Sequence, residues 1–425
     1  MEEIIIRNIG PVKSISIQLN KVNVFIGQQS SGKSTIAKII SYCQWVEKRL
    51  ITDGEFEYQF SEQFLEFHRI DKNYFNADSL IQYKSDFITI LYKGLNYNQE
   101  IKLNSENLKN YSRSKNIYIP AERNFVSSIP NLNKYNETND NIMSFLYDWH
   151  DAKREYSEKK SLSILDLGIS YFNSEKDLDH LKLKNKKKTI SLHNASSGLQ
   201  SVVPLVILID YLTNGLLKKT IPLSVKEKYN FILNDKSSIE KFINEEIKKI
   251  ETQKEHLDSL SLKDVRTATL EIKELYQRLN NLRYLVEFRT DSSKSYSFSK
   301  IIIEEPEQNL FPSTQRDLIY YIIREVFNKE KKHSLTLTTH SPYVLYALNN
   351  CILANIVEEK LSVKEKSNLP CLDSKISPEL ISIYELRNGE IKSIQQKDGL
   401  IGENFFDNKM KEIMDEFYIM LNHYD

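Results

Sequence analysis

Cysteine is scarce in this chain, and the cysteines that occur lie far apart. Only three of the 425 residues are cysteines, at Cys43, Cys351 and Cys371. An odd number at this spacing matches neither a disulfide framework nor a cysteine metal site, and it is typical of reduced, intracellular proteins. The sequence therefore predicts a cytoplasmic protein.

Long hydrophobic runs are missing as well. A membrane-spanning helix needs a run of about 18 apolar residues or more, whereas the apolar stretch Val202–Leu212 is shorter and contains Asp210. Residues 1–10 lack the basic segment and the long apolar segment of a secretory signal peptide. These absences argue against a membrane protein and against a secreted one.

Neither sign of charge is in excess. The chain has 58 basic and 58 acidic side chains, so its formal net charge is zero. A balanced charge gives no support for non-specific binding to nucleic acid, which usually requires a basic surface. A local basic cluster at 182–188 leaves DNA contact open as an alternative, although such clusters most often lie in solvated turns.

A glycine-rich loop follows a predicted strand near the N-terminus. The apolar residues Val22–Ile26 predict the strand, and apolar side chains at 3- and 4-residue spacing predict a helix over 33–49. The loop between them fits the pattern G-x-x-x-x-G-K-[ST] of nucleotide-binding proteins. We name it the phosphate loop, and its predicted nucleotide-binding residues are Gly27, Gln28, Gln29, Ser30, Ser31, Gly32, Lys33, Ser34 and Thr35.

The chemistry of the phosphate loop predicts ATP and Mg²⁺ as its ligands. Its two glycines let the backbone curl so that N–H groups face phosphate oxygens, and the helix N-terminus adds its dipole. Lys33 is predicted to contact the β- and γ-phosphates, and the Ser34 hydroxyl is predicted to bind Mg²⁺.

Two consecutive acidic residues end a second apolar strand, predicted over Phe298–Ile303. Ligands of open α/β sheets lie at the carboxyl ends of the strands, so we expect this strand next to the strand of the phosphate loop. Glu304 is predicted to bind Mg²⁺, directly or through water. Glu305 is predicted to be the general base that orients and deprotonates the attacking water.

Two further motifs complete the predicted site. His340 ends the next apolar strand, Ser334–Thr339, where its side chain can sense the γ-phosphate through a hydrogen bond. The turn Ala195–Ser201, which we name the signature turn, opens a helix between the phosphate loop and the acidic strand. Its residues predicted to bind the γ-phosphate held by a partner subunit are Ser196, Ser197, Gly198 and Gln200.

The order of these motifs resembles that of the ABC/SMC-like ATPases. The segment Ile303–Pro312 is similar to the Glu-Glu-Pro-Glu variant found in the ATPase part of the OLD nucleases and in related bacterial defence ATPases. The N-terminal layout resembles that of the DNA-repair protein RecF.

Three features depart from the ABC/SMC-like pattern. The chain lacks the transporter signature Leu-Ser-Gly-Gly-Gln, and Glu304 replaces the usual aspartate. In addition, Ala121-Glu122-Arg123 stands where a Q-loop glutamine is expected, and no role is assigned to Glu122 or Arg123.

The resemblance implies a protein that dimerises around ATP and works with a second protein. OLD-type proteins continue into a C-terminal Toprim nuclease, whereas only residues 341–425 follow His340 and they carry no clustered acidic triad. The layout is similar to that of the ATPase subunits of two-gene anti-phage systems of the PARIS and Septu types. The resemblance therefore implies a separately encoded effector, a nuclease or a toxin.

We accordingly predict an α/β P-loop NTPase of the ABC/SMC type with a mixed sheet core and a helical signature lobe. The predicted divisions are an N-terminal ATPase lobe at 1–130, a signature lobe at 131–297 and the C-terminal part of the ATPase core at 298–425. Within the signature lobe, heptad spacing over 236–287 predicts either a protruding coiled hairpin or two helices packed on the core.

The predicted function is ATP binding and hydrolysis by a homodimer or higher oligomer that is the sensor or regulatory subunit of an anti-phage complex. The alternative is a RecF/SMC-like DNA-binding ATPase in repair or recombination, which the neutral net charge disfavours. An energiser of a membrane transporter is disfavoured because the signature differs.

Overall fold

The computed structural model describes residues 2–53, 60–96, 98–129, 140–184, 188–219, 248, 295–327 and 332–424. Apart from Lys248, the predicted helical hairpin at 236–287 lies outside the described residues. Residues 185–187 of the predicted basic cluster also lie outside them.

The regular elements of the described chain come in runs of strands separated by helices. The strands are β1 (Glu2–Ile9), β2 (Val12–Leu19), β3 (Val22–Gly27), β4 (Leu80–Lys84), β5 (Ile88–Lys93), β6 (Asn98–Leu103), β7 (Ser114–Ile119), β8 (Leu162–Ser163), β9 (Ile169–Asn173), β10 (Asp179–Leu183), β11 (Lys188–Ser191), β12 (Phe298–Glu304), β13 (Ser334–Thr339), β14 (Ile381–Arg387) and β15 (Glu390–Ser393). The helices are α1 (Lys33–Asp53), α2 (Phe125–Ser128), α3 (Asn141–Lys153), α4 (Ser197–Asp210), α5 (Pro312–Phe327), α6 (Pro342–Val357), α7 (Val363–Lys366) and α8 (Phe405–Leu421).

Eleven strands of the described chain form one mixed sheet in the order β6-β5-β4-β1-β2-β15-β14-β3-β13-β12-β7. The strands from β14 to β7 in this order are parallel, and the pairs among β1, β2, β4, β5 and β6 are antiparallel. The predicted α/β fold with a mixed sheet core is therefore confirmed. The carboxyl ends of β3, β13, β12 and β7 meet at one edge, where open sheets of this kind hold their ligands.

The strand order differs from the expected one at the centre of the sheet. We predicted that the acidic strand lies next to the strand of the phosphate loop, but β13 pairs with both β3 and β12 and separates them. Two strand spacings amount to about 10 Å. The prediction that β3 and β12 are adjacent strands was wrong. An apolar run shows that a strand is buried, but it carries no information about the order of the strands in the sheet.

Both faces of the parallel strands are covered, because successive side chains point to opposite sides of a sheet. Val24 and Ile303 belong to the core that contains the apolar residues of α4, α5 and α6. Phe25 and Ile302, one position away, belong to a second core that contains those of α1. The sheet therefore lies between two helical layers, and the continuous apolar runs of β3 and β12 follow from burial on both sides.

The region between β7 and β12 contains more than the predicted helices. Strands β8 to β11 form a separate antiparallel sheet in the order β11-β10-β9-β8. Tyr171 of β9 and Leu181 of β10 are cross-strand partners and both are buried. Of these four strands we expected only the one near 189–192, because strands of two to five residues leave only a short hydrophobic pattern in the sequence. The three-part division at 130 and 297 stays a prediction.

Helix α4 is the most apolar helix at the centre of the molecule. The segment Ser197–Lys218 is long and apolar enough to span a membrane, but 72% of its most apolar window is buried inside the protein. Its residues Val202 to Ile209 all belong to the core with less than a tenth of their surface exposed. The hydrophobicity of α4 is therefore that of a core helix.

Helix α8 has no buried residue over its 17 positions. The predicted helix at 407–421 is present, and Asn404 caps it with a capping box that includes Asp407. Four of the five apolar side chains predicted on one face are exposed, namely Met410, Ile413, Phe417 and Met420.

Candidate active site

The two glycines of the phosphate loop have backbone conformations that other residues avoid. Gly27 has φ 149° and Gly32 has φ 106°. A Cβ atom on Gly27 would lie 2.6 Å from the carbonyl oxygen of Leu386, and one on Gly32 would lie 2.8 Å from Val12 Cγ2. Glycine is needed at both positions for conformation and for space. The loop then leads into α1, whose first N–H groups have no partner inside the helix.

Lys33 is buried at the first position of α1, and its side chain folds back over the phosphate loop. Its Nζ atom donates hydrogen bonds to the carbonyl oxygens of Gly27, at 2.9 Å, and Gln28, at 2.8 Å. Burial lowers the pKa of Lys33 to about 8, while the charges of Glu305 and its acidic neighbours act in the opposite direction. The ammonium group is thus held in the loop by carbonyl oxygens, and the carboxylates of Glu305, Glu307 and Glu304 lie close enough to act on its pKa.

The remaining predicted residues of the phosphate loop differ in exposure. Gln28, Gln29, Ser30 and Ser34 are exposed, whereas Thr35 is buried. Ser34 is therefore accessible to a bound ligand, and it directly follows the buried Lys33 in sequence.

Glu304 and Glu305 differ sharply in their surroundings. Glu304 is buried, and its Oε1 atom has no hydrogen-bond partner among the described residues. Glu305 follows in a left-handed conformation with φ 44°, which is strained for a residue with a side chain. Its side chain is 38% exposed, and its Oε1 atom lies 3.5 Å from His340 Nε2.

His340 lies between the acidic residues and the phosphate loop. Its backbone N–H donates to Glu307 Oε1 at 2.6 Å. The pKa of His340 is lowered mainly by burial and also by the positive charge of Lys33. Its imidazole is therefore neutral at neutral pH. Burial raises the pKa of Glu307. Lys33, Glu304, Glu305 and His340 thus converge at the carboxyl edge of the parallel strands, and their roles in binding and hydrolysis stay predictions.

The signature turn is not part of the group formed by Lys33, Glu304, Glu305 and His340. Ser196 precedes the first residue of α4 without capping the helix by its side chain, and both Ser196 and Ser197 are exposed. No hydrogen bond between the described residues joins Ser196–Gln200 to the phosphate loop. Ser196 and Ser197 at the start of α4 are therefore accessible at the surface of the chain.

The signature turn does contact the loop that follows β12. A Cβ atom on Gly198 would lie 3.0 Å from the carbonyl oxygen of Asn309, and the Asn309 side chain donates to Ser201 Oγ at 3.1 Å. The Gln200 amide donates to the carbonyl oxygen of His193 at 2.7 Å and accepts a hydrogen bond from Ser128 Oγ at 3.0 Å. Gln200 thus makes contacts within its own chain, and its predicted contact to a nucleotide stays a prediction.

Arg123 is a site residue to which the sequence motifs assign no role. Its side chain is fully buried directly after β7, and it donates from Nη1 to the carbonyl oxygen of Glu304 at 2.9 Å. Its Nη2 atom donates to the carbonyl oxygens of Glu305, at 2.8 Å, and Pro306, at 3.1 Å. The only signal was the position of Ala121-Glu122-Arg123 after a strand of the sheet.

The residues present fit a magnesium ion. Mg²⁺ binds oxygen ligands and is usually held by one or two protein groups together with phosphate oxygens and water. The unpartnered Glu304 Oε1 atom and the exposed Ser34 hydroxyl are oxygen ligands of this kind. Among the described residues there is no group of three or more His, Cys, Asp or Glu side chains that could hold a metal. A site for Mg²⁺ here thus needs the phosphates of the nucleotide.

The family model for an AAA ATPase domain matches residues 1–345, which include all of the elements described above for the site. The chain belongs to this ATPase family. A P-loop ATPase fold and nucleotide binding in general follow from that membership, in agreement with the prediction. No curated protein matches the ATPase.

Several solved structures resemble the ATPase at low similarity. The SMC head domain from Thermotoga maritima has a TM-score of 0.38 and 10% identity over 93% of this chain and 98% of that one. An SMC head domain derived from Pyrococcus furiosus, with an extended coiled coil, has a TM-score of 0.33 and 11% identity over 98% and 100%. The recombination mediator RecF has a TM-score of 0.31 and 12% identity over 92% and 97%. At these scores the likenesses support no functional assignment.

Proposed function

We propose that the protein hydrolyses ATP at the edge of the sheet where the phosphate loop and the acidic residues meet. The observation that carries the proposal is the convergence of a buried lysine, two carboxylates and a histidine from three separate motifs. Burial and the nearby carboxylates both act on the pKa of Lys33, which places these charges close together. A site of this composition suits a triphosphate with its metal ion.

The proposed roles follow from the different surroundings of the residues. Ser34 and Glu304 would hold Mg²⁺, which when bound neutralises charge on the phosphate oxygens. Glu305 is exposed enough to meet a water molecule, which it orients and deprotonates for attack on the γ-phosphate. The neutral His340 is within reach of Glu305 and can hydrogen-bond the γ-phosphate. Lys33 would exchange its loop carbonyl acceptors for phosphate oxygens.

We further propose that two subunits complete each site. The start of α4 offers free N–H groups and the Ser196 and Ser197 hydroxyls at the surface, an arrangement that favours phosphate. Because these groups do not contact the phosphate loop of the same chain, they are available to the nucleotide bound by a second copy. A two-fold dimer would contain two such composite sites.

A mixture of two inactive variants tests the composite site. Lys33→Ala removes the phosphate-binding ammonium group, and Ser197→Glu puts a negative charge where the partner's phosphate would bind. In a mixed dimer, one site combines the intact phosphate loop of one chain with the intact signature turn of the other. Each variant alone is expected to be inactive, and random pairing in an equimolar mixture should restore about a quarter of the wild-type rate.

Ser144→Glu is the matched control for this experiment. Ser144 is also an exposed serine in the first half of a helix, α3, and it belongs to none of the motifs of the proposed site. Homodimers of Ser144→Glu should hydrolyse ATP at the wild-type rate. If the mixture of Lys33→Ala and Ser197→Glu stays inactive although both variants are folded and mixed dimers are detected, the composite site is refuted.

The low pKa of Lys33 predicts that ATP binding depends on pH. Below about pH 8 the Lys33 ammonium is protonated, and above it the proton is lost, since burial disfavours the charged form. ATP favours the charged form, so binding near pH 8 should take up protons, and the affinity should fall by up to about tenfold per pH unit above that value. Calorimetry in buffers of different ionisation enthalpy measures both effects.

Lys33→Arg is the control for the pH dependence. A guanidinium stays charged throughout the accessible range, so this variant should bind ATP with little change between about pH 7 and about pH 9. The lowered pKa of Lys33 would be contradicted if the affinity of the wild type for ATP did not change across this range and binding took up no proton.

A more specific proposal than ATP hydrolysis concerns the biological role that the resemblance implies. We propose that the ATPase is the sensor or regulatory subunit of an anti-phage complex with a separately encoded nuclease or toxin. Co-purification with the product of the neighbouring gene, with and without ATP, tests it, and the absence of any complex would count against it. The alternative of a DNA-binding repair ATPase predicts salt-dependent DNA binding with a steep negative slope.

A further inference from the structure

We infer that Arg123 is a positioning residue that holds the proposed base Glu305 in its working orientation. This inference rests on the proposed function, because it concerns the geometry of the same site. Arg123 does not reach the reacting atoms itself. It binds the backbone on either side of the Glu305 side chain, so it acts on the carboxylate through the main chain.

The contacts of Arg123 are concentrated on the point where β12 ends. Its two terminal nitrogens donate to the carbonyl oxygens of three consecutive residues, Glu304, Glu305 and Pro306, at 2.8 to 3.1 Å. A guanidinium is planar and carries its donors in a fixed fork, so three bonds to consecutive carbonyls fix the orientation of three peptide groups. These are the peptide groups that follow Glu304, Glu305 and Pro306.

The backbone held in this way is strained. Glu305 has φ 44°, a conformation that a residue with a Cβ atom adopts only when its surroundings impose it. On the other side of the residue, the Glu305 N–H donates to the carbonyl oxygen of Thr338 on β13 at 2.9 Å. Glu305 is therefore fixed from both sides, by β13 through its N–H group and by Arg123 through its carbonyl oxygen.

The burial of Arg123 indicates that its charge is needed there. The side chain is 0% exposed, and the hydrogen-bond partners of its terminal nitrogens among the described residues are carbonyl oxygens, not carboxylates. Taking a guanidinium out of water without a direct ion pair is costly, and a space-filling role would be met better by an apolar residue. Burial lowers the pKa of Arg123 to about 10, which still leaves it protonated at neutral pH. All of its donors are thus present under working conditions.

The same loop also touches the signature turn. Asn309, four residues after Glu305, contacts Ser201 and lies against Gly198. Without the Arg123 contacts, the backbone between Glu305 and Asn309 would be free to move. We therefore expect the orientation of Glu305 to change first, because its conformation is the strained one.

Two substitutions of Arg123 test the inference, measured on the intact protein. Arg123→Met keeps the length but removes all donors, and Arg123→Lys keeps a charge that can reach some of the carbonyls. We expect kcat to fall by about 100-fold for Arg123→Met, the effect of a misplaced catalytic group, and by a smaller factor for Arg123→Lys. The KM for ATP and the Kd for a non-hydrolysable analogue should stay close to the wild-type values.

Arg113→Met is the matched control. Arg113 is also a buried arginine, but it precedes β7 whereas Arg123 follows it, and its guanidinium lies 5.1 Å from the Tyr296 ring centroid. Thermal unfolding of all variants shows whether they fold. Arg113→Met is expected to lower the melting temperature and to leave kcat unchanged.

Combination with Glu305→Gln separates positioning from mere support of the fold. If Arg123 acts through the Glu305 carboxylate, Arg123→Lys should lower the rate in the wild-type background and have no further effect in the Glu305→Gln background. Equal effects in both backgrounds, or an unchanged kcat for a folded Arg123→Met, would overturn the inference. If Glu305→Gln itself hydrolyses ATP at the wild-type rate, the proposed function fails instead, and the two failures are thereby distinguished.

Discussion

Replacing Glu305 with glutamine is expected to lower the rate of ATP hydrolysis by about 100-fold or more, the usual contribution of a general base. The amide has the size of the carboxylate but cannot accept the proton of the attacking water. ATP binding should persist, because Lys33, Ser34 and Glu304 keep their positions. The ATP-bound dimer should then accumulate, since the γ-phosphate that joins the two subunits is no longer removed.

Two quantities are measured for Glu305→Gln, namely the rate of ATP hydrolysis and the fraction of the protein that is dimeric. Phosphate release gives the rate, and light scattering in the presence of ATP and Mg²⁺ gives the dimer fraction. Glu122→Gln is the control, because Glu122 is an exposed acid that directly precedes Arg123 in sequence. It should behave like the wild type. Turnover of Glu305→Gln at the wild-type rate would remove Glu305 from the role of base.

Replacing Lys33 with alanine is expected to weaken ATP binding by about 10- to 100-fold, the value of a hydrogen bond to a charged group. The buried ammonium group is the cation that the sequence places in the phosphate loop. Its loss also leaves the carbonyl oxygens of Gly27 and Gln28 without their donor, so the loop itself should become less stable. Unlike Glu305→Gln, this variant should form no ATP-dependent dimer.

Titration with a fluorescent ATP analogue measures the affinity of Lys33→Ala. Lys38→Ala is the control, since Lys38 lies on the same helix and is only half-buried. It should keep the wild-type affinity. A Lys33→Ala protein that binds ATP as tightly as the wild type would mean that the phosphates lie elsewhere.

The parts of the site that are contiguous in sequence could be predicted. The glycine pattern of the phosphate loop, the acidic pair after an apolar strand and the histidine after the next strand each combine a local structure with a local chemistry. Helix α1 and strands β3, β12 and β13 were predicted for the same reason, since burial on one or both faces leaves a pattern in a short window. Their meeting at one edge follows from the parallel sheet.

The contacts that organise the site could not be predicted. Arg123 and Glu304 are separated by 181 positions, and no local pattern links a buried guanidinium to a distant carbonyl group. The left-handed conformation of Glu305 is imposed by such contacts, and propensity alone would place a glycine or asparagine there. The insertion of β13 between β3 and β12 is likewise a property of the whole sheet.

The middle position of β13 limits how the site can respond to its nucleotide. Main-chain hydrogen bonds tie this strand to a neighbour on each side, and one neighbour leads into the phosphate loop while the other ends in the acidic pair. The backbone before His340 therefore cannot slide without displacing both. Motion at the site is left to the imidazole rotamer and to the two flanking loops, so the sheet is a fixed frame for the residues at its edge.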